Sequence, residues 1–385
     1  MESKRNQIVK AHCLIPWTNI DIGPRGHMVP CCKYECDNSE MLNITENSIE
    51  DYVYSDFLKD IKTTMLKNEW PEGCIRCRTE EENGIKSKRQ LDYERWQTHY
   101  DDYNASKGFI TASIGFGNTC NLKCITCNPT SSSRWRKEYA DIYGVDKPPV
   151  ETISQAADDI YASMPNLIHL DVIGGEPLIS EPEKQQELLL RYVQSGQSKD
   201  MTLHYTTNAQ QFPSEIWWDI WRNFAEIDMQ LSIDGVGPRY EYIRHPACSV
   251  TLEENVKSWK QATQEYDNLR LSVSHTLSAY NVYYLDEFFS WCEHFDLPRP
   301  WVGRVHTPKH MRVDVFPLQV KQKIIEHLQT SKYQDVKTWA EFLSSNDSSE
   351  YYADFKRYTD QHDLYRHTNF AETFPELERI INGVQ

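Results

Sequence analysis

The sequence predicts an α/β protein: a parallel sheet of about six βα units rolled into a partial or full barrel, with a small metal-stapled unit before it and a helical extension after it. Three observations predict it. Short β-rich runs alternate with segments of helical period through the middle of the chain. Nine of the eleven cysteines fall in the first third. The 385 residues exceed the roughly 250 to 300 at which a single core stops growing.

Taken in order, Cys13, Cys31, Cys32, Cys36, Cys74 and Cys77 occupy a segment with little room for a large core. Small units of that kind often need a metal for stability. A turn at Gly23 to Gly26 between β-like runs predicts a hairpin that presents Cys13 and Cys31 from neighbouring strands. The charge-rich run from Arg78 to Lys107 reads as a helix followed by a connection, which places a boundary near residue 108. The expected strands are Phe109 to Phe116, Ile168 to Ile173, Met201 to Thr206, Met229 to Ile233, Leu269 to Thr276 and Trp301 to Val305. Helical spacing marks Glu181 to Gln194, Leu252 to Glu265 and Tyr283 to His294. From Pro317 onward the pattern is helical and Tyr-rich, with no recognisable chemistry. The division is therefore 1–107, 108–310 and 311–385. Cys248 and Cys292 read as buried hydrophobes.

Composition narrows the function. With 39% hydrophobic and 12% aromatic residues, the chain is too rich in core-forming side chains to be disordered. A formal net charge of −16 argues against nucleic-acid partners, which demand clustered Lys and Arg. Met1 to Lys10 lack an apolar h-region, and no later window reaches the roughly 18 to 20 apolar residues that cross a bilayer. The expectation is a cytoplasmic protein with no membrane partner. In that reducing compartment its cysteines read as metal ligands or reactive thiols rather than disulfides.

Directly after the first expected barrel strand, Cys120, Cys124 and Cys127 stand in a C-x3-C-x2-C spacing. Three thiolates within eight residues can wrap one metal centre. A structural zinc would want a fourth, closing ligand, and the residues that follow, Asn128, Pro129, Thr130 and a Ser triplet, offer no Cys or His. A [4Fe-4S] cluster held by three Cys instead keeps one iron open to a substrate.

Further motifs fall at successive strand ends, where a parallel barrel assembles its site. Gly174-Gly175-Glu176-Pro177 follows the second strand, Thr206-Thr207-Asn208 the third, and Ser232-Ile233-Asp234-Gly235 the fourth, with Arg244 beyond it. With these motifs the segment Phe109 to Val305 resembles the radical SAM superfamily, whose hallmark is this cysteine spacing after the first strand of a partial (β/α)6 barrel. The resemblance implies that Cys120, Cys124 and Cys127 hold a [4Fe-4S] cluster whose open iron is chelated by S-adenosylmethionine. Reductive cleavage then yields a 5′-deoxyadenosyl radical that abstracts hydrogen from a substrate. By the same resemblance Gly174, Gly175, Glu176 and Pro177 receive the methionyl ammonium. Asn208, Ser232, Asp234 and Arg244 complete the cofactor site, with Ser232 and Arg244 contacting the ribose or carboxylate. One departure concerns the position before the third cysteine, often aromatic in the family and packed on adenine, which is Thr126 here.

Among the N-terminal cysteines, Cys13, Cys31, Cys74 and Cys77 without a nearby His suit either structural zinc or a fully ligated [4Fe-4S] cluster. The Gly26-x4-Cys31 portion, with Cys74-x2-Cys77 closing the set, resembles the SPASM or twitch auxiliary-cluster module. That resemblance implies a second cluster on Cys13, Cys31, Cys74 and Cys77, used in electron transfer. Cys32 is an alternative to Cys31, and Cys36 is a spare thiol. Family modules usually follow the barrel, whereas this one precedes it.

The implied activity is that of a radical S-adenosylmethionine enzyme with two [4Fe-4S] clusters, fed by an external flavodoxin- or ferredoxin-like donor. Oxidative modification of a peptide or protein is the leading reading. Radical dehydrogenation or rearrangement of a sugar or nucleotide, and a non-catalytic metal-binding interaction protein, are the alternatives.

Overall fold

The computed structural model describes residues 11–37, 41–82, 86–101, 108–150, 153 and 155–383. The charged N-terminal run to Lys10 and the stretch just ahead of the boundary expected near 108 lie outside the described residues. Among the described residues, eight strands form one sheet: β1 (Asn19–Ile22), β2 (Met28–Val29), β3 (Thr111–Gly115), β4 (His169–Ile173), β5 (Thr202–Thr207), β6 (Glu226–Ser232), β7 (Leu269–Leu277) and β8 (Trp301–Arg304). Their order is β2-β1-β3-β4-β5-β6-β7-β8. The pairs β1/β3, β3/β4, β4/β5 and β7/β8 are parallel, as βαβ crossovers require. All six strands expected in the barrel segment are present.

The chain divides into two compact units. The first comprises Met1–Asn118, Val150–Tyr205 and Glu215–Ile227. Its hairpin β1/β2 turns at Gly23 to Gly26, where the Gly26 N–H donates to the Gly23 carbonyl at 2.8 Å. Gly26 takes φ +81°, and a Cβ there would stand 2.3 Å from Asn43 Oδ1, so both conformation and space require glycine. The expected hairpin is thus present, but it does not carry the cysteines on its strands. Cys13 precedes a short helix, Ile15–Thr18, and Cys31 lies beyond the end of β2. A further finding is that β1 pairs in parallel with β3, Asn19 opposite Thr111 through Ile22 opposite Ile114. The N-terminal segment therefore adds its own strand to the barrel sheet.

Alternation decides which face of each strand is apolar. On β5, Leu203 and Tyr205 are buried, while Thr202, His204 and Thr206 are partly exposed. Tyr205 packs on Trp217 and Trp221 of the helix Glu215–Trp221, so it belongs to the layer between sheet and helices. The opposite face of this unit carries a polar row in register, Asp21, Ser113, Asp171 and His204, from β1, β3, β4 and β5. The polar run after Arg78 resolves into the end of the helix Ile75–Glu82 and a second helix, Lys88–Asp101.

The second unit comprises Thr119–Pro149, Thr206–Ser214 and Asp228–Gln385. The helices Ser249–Glu265 and Leu285–His294 match the expected helical spacings. His275 on β7 faces the second of them, 4.2 Å from the Phe288 ring, and is 1% exposed. The C-terminal segment is helical, with Leu318–Gln329, Gln334–Ser345, Tyr352–Arg366 and Pro375–Asn382 as its main helices. Phe316, Phe355 and Phe374 anchor it in the core. No helix among the described residues is long and apolar enough to cross a membrane.

Candidate metal centres

The three-cysteine loop lies in the second unit. A short irregular loop cannot pair its own backbone groups, so each buried one needs a partner from elsewhere. Lys123 N–H donates to the His245 carbonyl and Ile125 N–H to the Ile243 carbonyl, both at 2.7 Å. Four successive carbonyls then each accept from a side chain. Leu122 O accepts from Ser132 Oγ at 2.5 Å, Lys123 O from Arg366 Nη2 at 2.9 Å, Cys124 O from Trp135 Nε1 at 2.8 Å, and Ile125 O from Tyr358 Oη at 3.0 Å. Tyr358 and Arg366 come from the helix Tyr352–Arg366, in the segment where the sequence shows no recognisable chemistry.

Side chains expected at the cofactor gather around the same loop. Asn208 Nδ2 donates to Asn121 Oδ1 at 2.7 Å and lies 4.0 Å from Cys120 Sγ. Arg244 Nε donates to Asp234 Oδ2 at 2.9 Å and Nη2 to Ser232 Oγ at 2.6 Å. Asp234 Oδ1 is fixed by the Thr276 N–H at 2.7 Å. Ser232, Asp234 and Arg244 thus form one cluster, and the Arg244 charge acts on Cys124 and Cys127. A hydrogen bond between those two thiols draws Cys124 below the ordinary thiol value and pushes Cys127 well above it. A cavity of about 430 Å³ opens beside Thr126 and Cys127, walled by Trp135, Tyr139, Tyr143 and Tyr358. Aromatic surface is therefore present there although residue 126 is not aromatic.

In the first unit, Gly174 to Pro177 follow β4. Gly174 takes φ +145°, and a Cβ there would stand 2.6 Å from the Gly117 carbonyl oxygen. That same carbonyl accepts the Gly175 N–H at 3.2 Å. Only glycine lets the turn dock this closely on the chain after β3. Glu176 is buried, its Oε1 accepts from the Leu178 N–H at 3.3 Å, and its carbonyl accepts from Ser180 at 2.9 Å. Pro177 O accepts from Gln185 Nε2 at 2.7 Å.

The N-terminal cysteines lie in this unit too. Arg89 ties the chain ahead of Cys13 to the helix of Cys77, donating to the His12 carbonyl at 2.7 Å and pairing with Glu81. Gly73 admits Tyr34 and the Glu35 carbonyl against the residue before Cys74, and the Glu35 N–H donates to its carbonyl at 2.9 Å. Burial pushes the Cys13 and Cys74 thiols up to about 12 and Cys31 well above its ordinary value. Cys13 feels the charges of Cys74 and Cys77, Cys31 feels Cys32 first and then Cys13, and Cys32 is raised by desolvation, opposed by Lys88 and reinforced by Asp21 and Asp171. Buried thiols of this kind ionise only against a strong cation, and four unbridged Cys suit iron or zinc. Among the described residues, no three His, Cys, Asp or Glu side chains already stand in metal-holding geometry.

Residues 13–78 match SPASM, an iron-sulfur cluster-binding domain. The SPASM segment contains all six N-terminal cysteines. No curated protein matches the chain. Solved structures similar to it include native anSMEcpe with bound AdoMet, at 14% identity over 62% of each chain and a TM-score of 0.43. Streptococcus suis SuiB bound to S-adenosylmethionine is 14% identical over 72% of this chain and 59% of that one, with a TM-score of 0.38. TYW1 with a lysine-pyruvate adduct bound is 15% identical over 63% and 82%, with a TM-score of 0.34. The chain spans about three fifths of the length of the first two.

Other polar side chains occupy the expected strands, and His275 Nδ1 lies 2.8 Å from the Ile233 carbonyl, between Ser232 and Asp234. Tyr205 and His275, each on an expected strand, face the helix layer, and Arg304 lies over the Phe342 ring at 4.6 Å. Cys292 is buried as expected, but Cys248 is exposed at the start of the helix Ser249–Glu265. The sequence reading also missed the polar row on the sheet's other face. Ser113 Oγ donates to Asp171 Oδ2 at 3.0 Å and His169 Nε2 lies 2.9 Å from Asp171 Oδ1. Burial opposes ionisation of Asp171, but the His169 contact and nearby His204 outweigh it and hold the carboxyl near 2. Burial, with the Asp171 charge, pushes neighbouring Asp21 up to about 7. Strand-interior Asp and His at alternate positions, rather than a motif, are the signal that could have revealed them.

Proposed function

We propose that the chain is a radical S-adenosylmethionine enzyme. In this reading Cys120, Cys124 and Cys127 hold one [4Fe-4S] cluster, and Cys13, Cys31, Cys74 and Cys77 of the SPASM segment hold a second. The observation that carries it is the three-cysteine loop, fixed on both backbone sides, with Asn208, Ser232, Asp234 and Arg244 gathered around it. When bound, a cluster with one iron free of protein ligands supplies the electron that cleaves S-adenosylmethionine. The protein's part is to bind and orient. Arg244 brings a buried cation to the loop, and Asn208 fixes Asn121 beside Cys120. Glu176 in its glycine turn offers a carboxylate to the methionyl ammonium.

The second site leaves no iron open when four cysteines bind it, so its role is electron transfer. A flavodoxin- or ferredoxin-like donor in the cytoplasm is the matching reductant. The substrate reading is a peptide or protein oxidised at carbon, in keeping with the SPASM segment. We place the SPASM-like unit at 1–107, the barrel at 108–310 and the extension at 311–385.

The test is anaerobic reconstitution with iron and sulfide. About eight irons per chain are expected, and replacing Cys120, Cys124 and Cys127 together by Ala removes about half of them and all release of 5′-deoxyadenosine. Unchanged iron in that variant overturns the ligand assignment, and zinc without iron at the N-terminal cysteines overturns the second cluster.

A further inference from the structure

The helix Tyr352–Arg366 reaches the three-cysteine loop with one face. Tyr358, His362 and Arg366 follow one another at intervals of four residues and so project from that face together. Tyr358 holds the Ile125 carbonyl and Arg366 the Lys123 carbonyl, one residue on either side of Cys124. Between helix and loop lies a buried charge cluster. Glu138, 1% exposed, receives Arg366 Nε at 2.7 Å, His362 Nδ1 at 2.7 Å and Lys123 Nζ at 2.6 Å. His362 Nε2 is 3.2 Å from the Tyr143 hydroxyl, and the Arg366 guanidinium lies 4.9 Å from the Trp135 ring centre. Burial opposes the Glu138 charge, but His362, Arg366 and Lys123 outweigh it and hold its carboxyl near 2. Burial also keeps His362 below its ordinary value, so it stays neutral near pH 7.

We propose that this C-terminal helix is part of the cluster-binding apparatus, with Tyr358 and Arg366 as positioning residues and Arg366 as a buried cation that favours the reduced, more negative cluster. The proposal rests on the assignment of Cys120, Cys124 and Cys127 as cluster ligands. Pinning the carbonyls on both sides of Cys124 fixes the direction of its Sγ before any metal arrives, which lowers the ordering cost of binding. The charge effect is separable from the pinning. At an effective dielectric near 20 and a separation on the order of 10 Å, one unit charge shifts a neighbouring one-electron equilibrium roughly tenfold, which is about 59 mV.

The experiment uses the full chain, reconstituted anaerobically, with iron content and the midpoint potential of the S-adenosylmethionine-responsive electron paramagnetic resonance signal as readouts. Arg366→Met should lower that potential by about 59 mV and increase iron loss to a chelator. Glu138→Gln, which removes the opposite charge, should raise the potential. Tyr358→Phe should speed iron loss with the potential unchanged, and Arg366→Lys should restore most of the potential while iron loss stays fast. Circular dichroism confirms that each variant folds, and Tyr358→Phe and Arg366→Lys keep the test usable if Arg366→Met does not. Potentials of Arg366→Met and Glu138→Gln that move in the same direction, or not at all, overturn the charge role. Unchanged iron retention in Tyr358→Phe and Arg366→Lys overturns the positioning role. A wild-type chain that binds no iron at the three cysteines refutes the underlying assignment instead, so the two failures are distinct.

Discussion

Replacing Gly174 by Ala tests whether the turn after β4 is shaped for its site. Two costs add. At φ +145° the backbone occupies a region that L side chains rarely adopt, at roughly 1 to 3 kcal/mol. The new Cβ would also stand 2.6 Å from the Gly117 carbonyl oxygen, a backbone atom that cannot swing away, and overpacking of this kind costs roughly 1 to 3 kcal/mol. The sum, about 2 to 6 kcal/mol, is a large share of the roughly 5 to 15 kcal/mol that holds a domain folded. Gly196→Ala is the internal control. Gly196 has φ +84° but no heavy atom within 4 Å of an added Cβ, so it bears only the left-handed cost of about 1 to 2 kcal/mol. Urea unfolding of both variants under anaerobic conditions measures the difference, and S-adenosylmethionine affinity of the still-folded fraction measures the effect on the turn. Equal losses in the two variants would refute the claim that Gly117 is packed against the turn.

Glu176→Gln keeps an acceptor for the Leu178 N–H but removes a charge. Losing a charge-assisted contact of roughly 1.5 to 3 kcal/mol should weaken S-adenosylmethionine about ten- to a hundredfold, whereas unchanged affinity in the fully clustered variant would leave Glu176 as a cap of its own turn. Arg244→Met strands Asp234, which is 2% exposed, and should cost about 3 to 5 kcal/mol. The double change with Asp234→Asn should recover part of that loss, and a double variant no better than the single would contradict the pairing. Burial lowers His275 to about 4, so the unfolded chain binds its proton first. Stability therefore falls as pH drops through about 6.5 toward 4, by about 1.4 kcal/mol per pH unit from this group. An acid limb of equal slope in His275→Gln would assign the loss elsewhere.

The barrel strands were legible because side-chain parity on β5 and β6 is regular. Leu203 and Tyr205, and likewise Met229 and Leu231, point one way, and polar residues point the other. Parity also separates polar side chains by face. Tyr205 and His275 carry polar groups, but each occupies the phase of its strand that faces helices. Position along a strand is set by local pattern, whereas the face is set by a one-residue shift. The hairpin turn was readable from Gly23 and Gly26, yet the pairing of β1 with β3 was not. A four-residue strand, Asn19–Ile22, holds only Ile20 and Ile22 as apolar positions, and nothing local in them names a partner more than ninety residues away.

The cysteine loop shows a deeper limit of the same kind. Its spacing announces three ligands for one centre, and its shortness announces that buried peptide groups must find partners outside it. The sequence therefore states the demand. It does not state the supply, because a donor can come from any element that folds within reach. Here the supply is Ser132 and Trp135 just downstream, the backbone of Ile243 and His245, and Tyr358 and Arg366 from more than two hundred residues away. The four-residue spacing of Tyr358, His362 and Arg366 was visible all along. What gives it meaning is Glu138, a carboxylate too deeply buried to be stable without cations. An acidic residue on an amphipathic helix such as Trp135–Tyr143 looks solvated in sequence. Only its burial turns the polar face of a distant helix into a support for the three-cysteine loop.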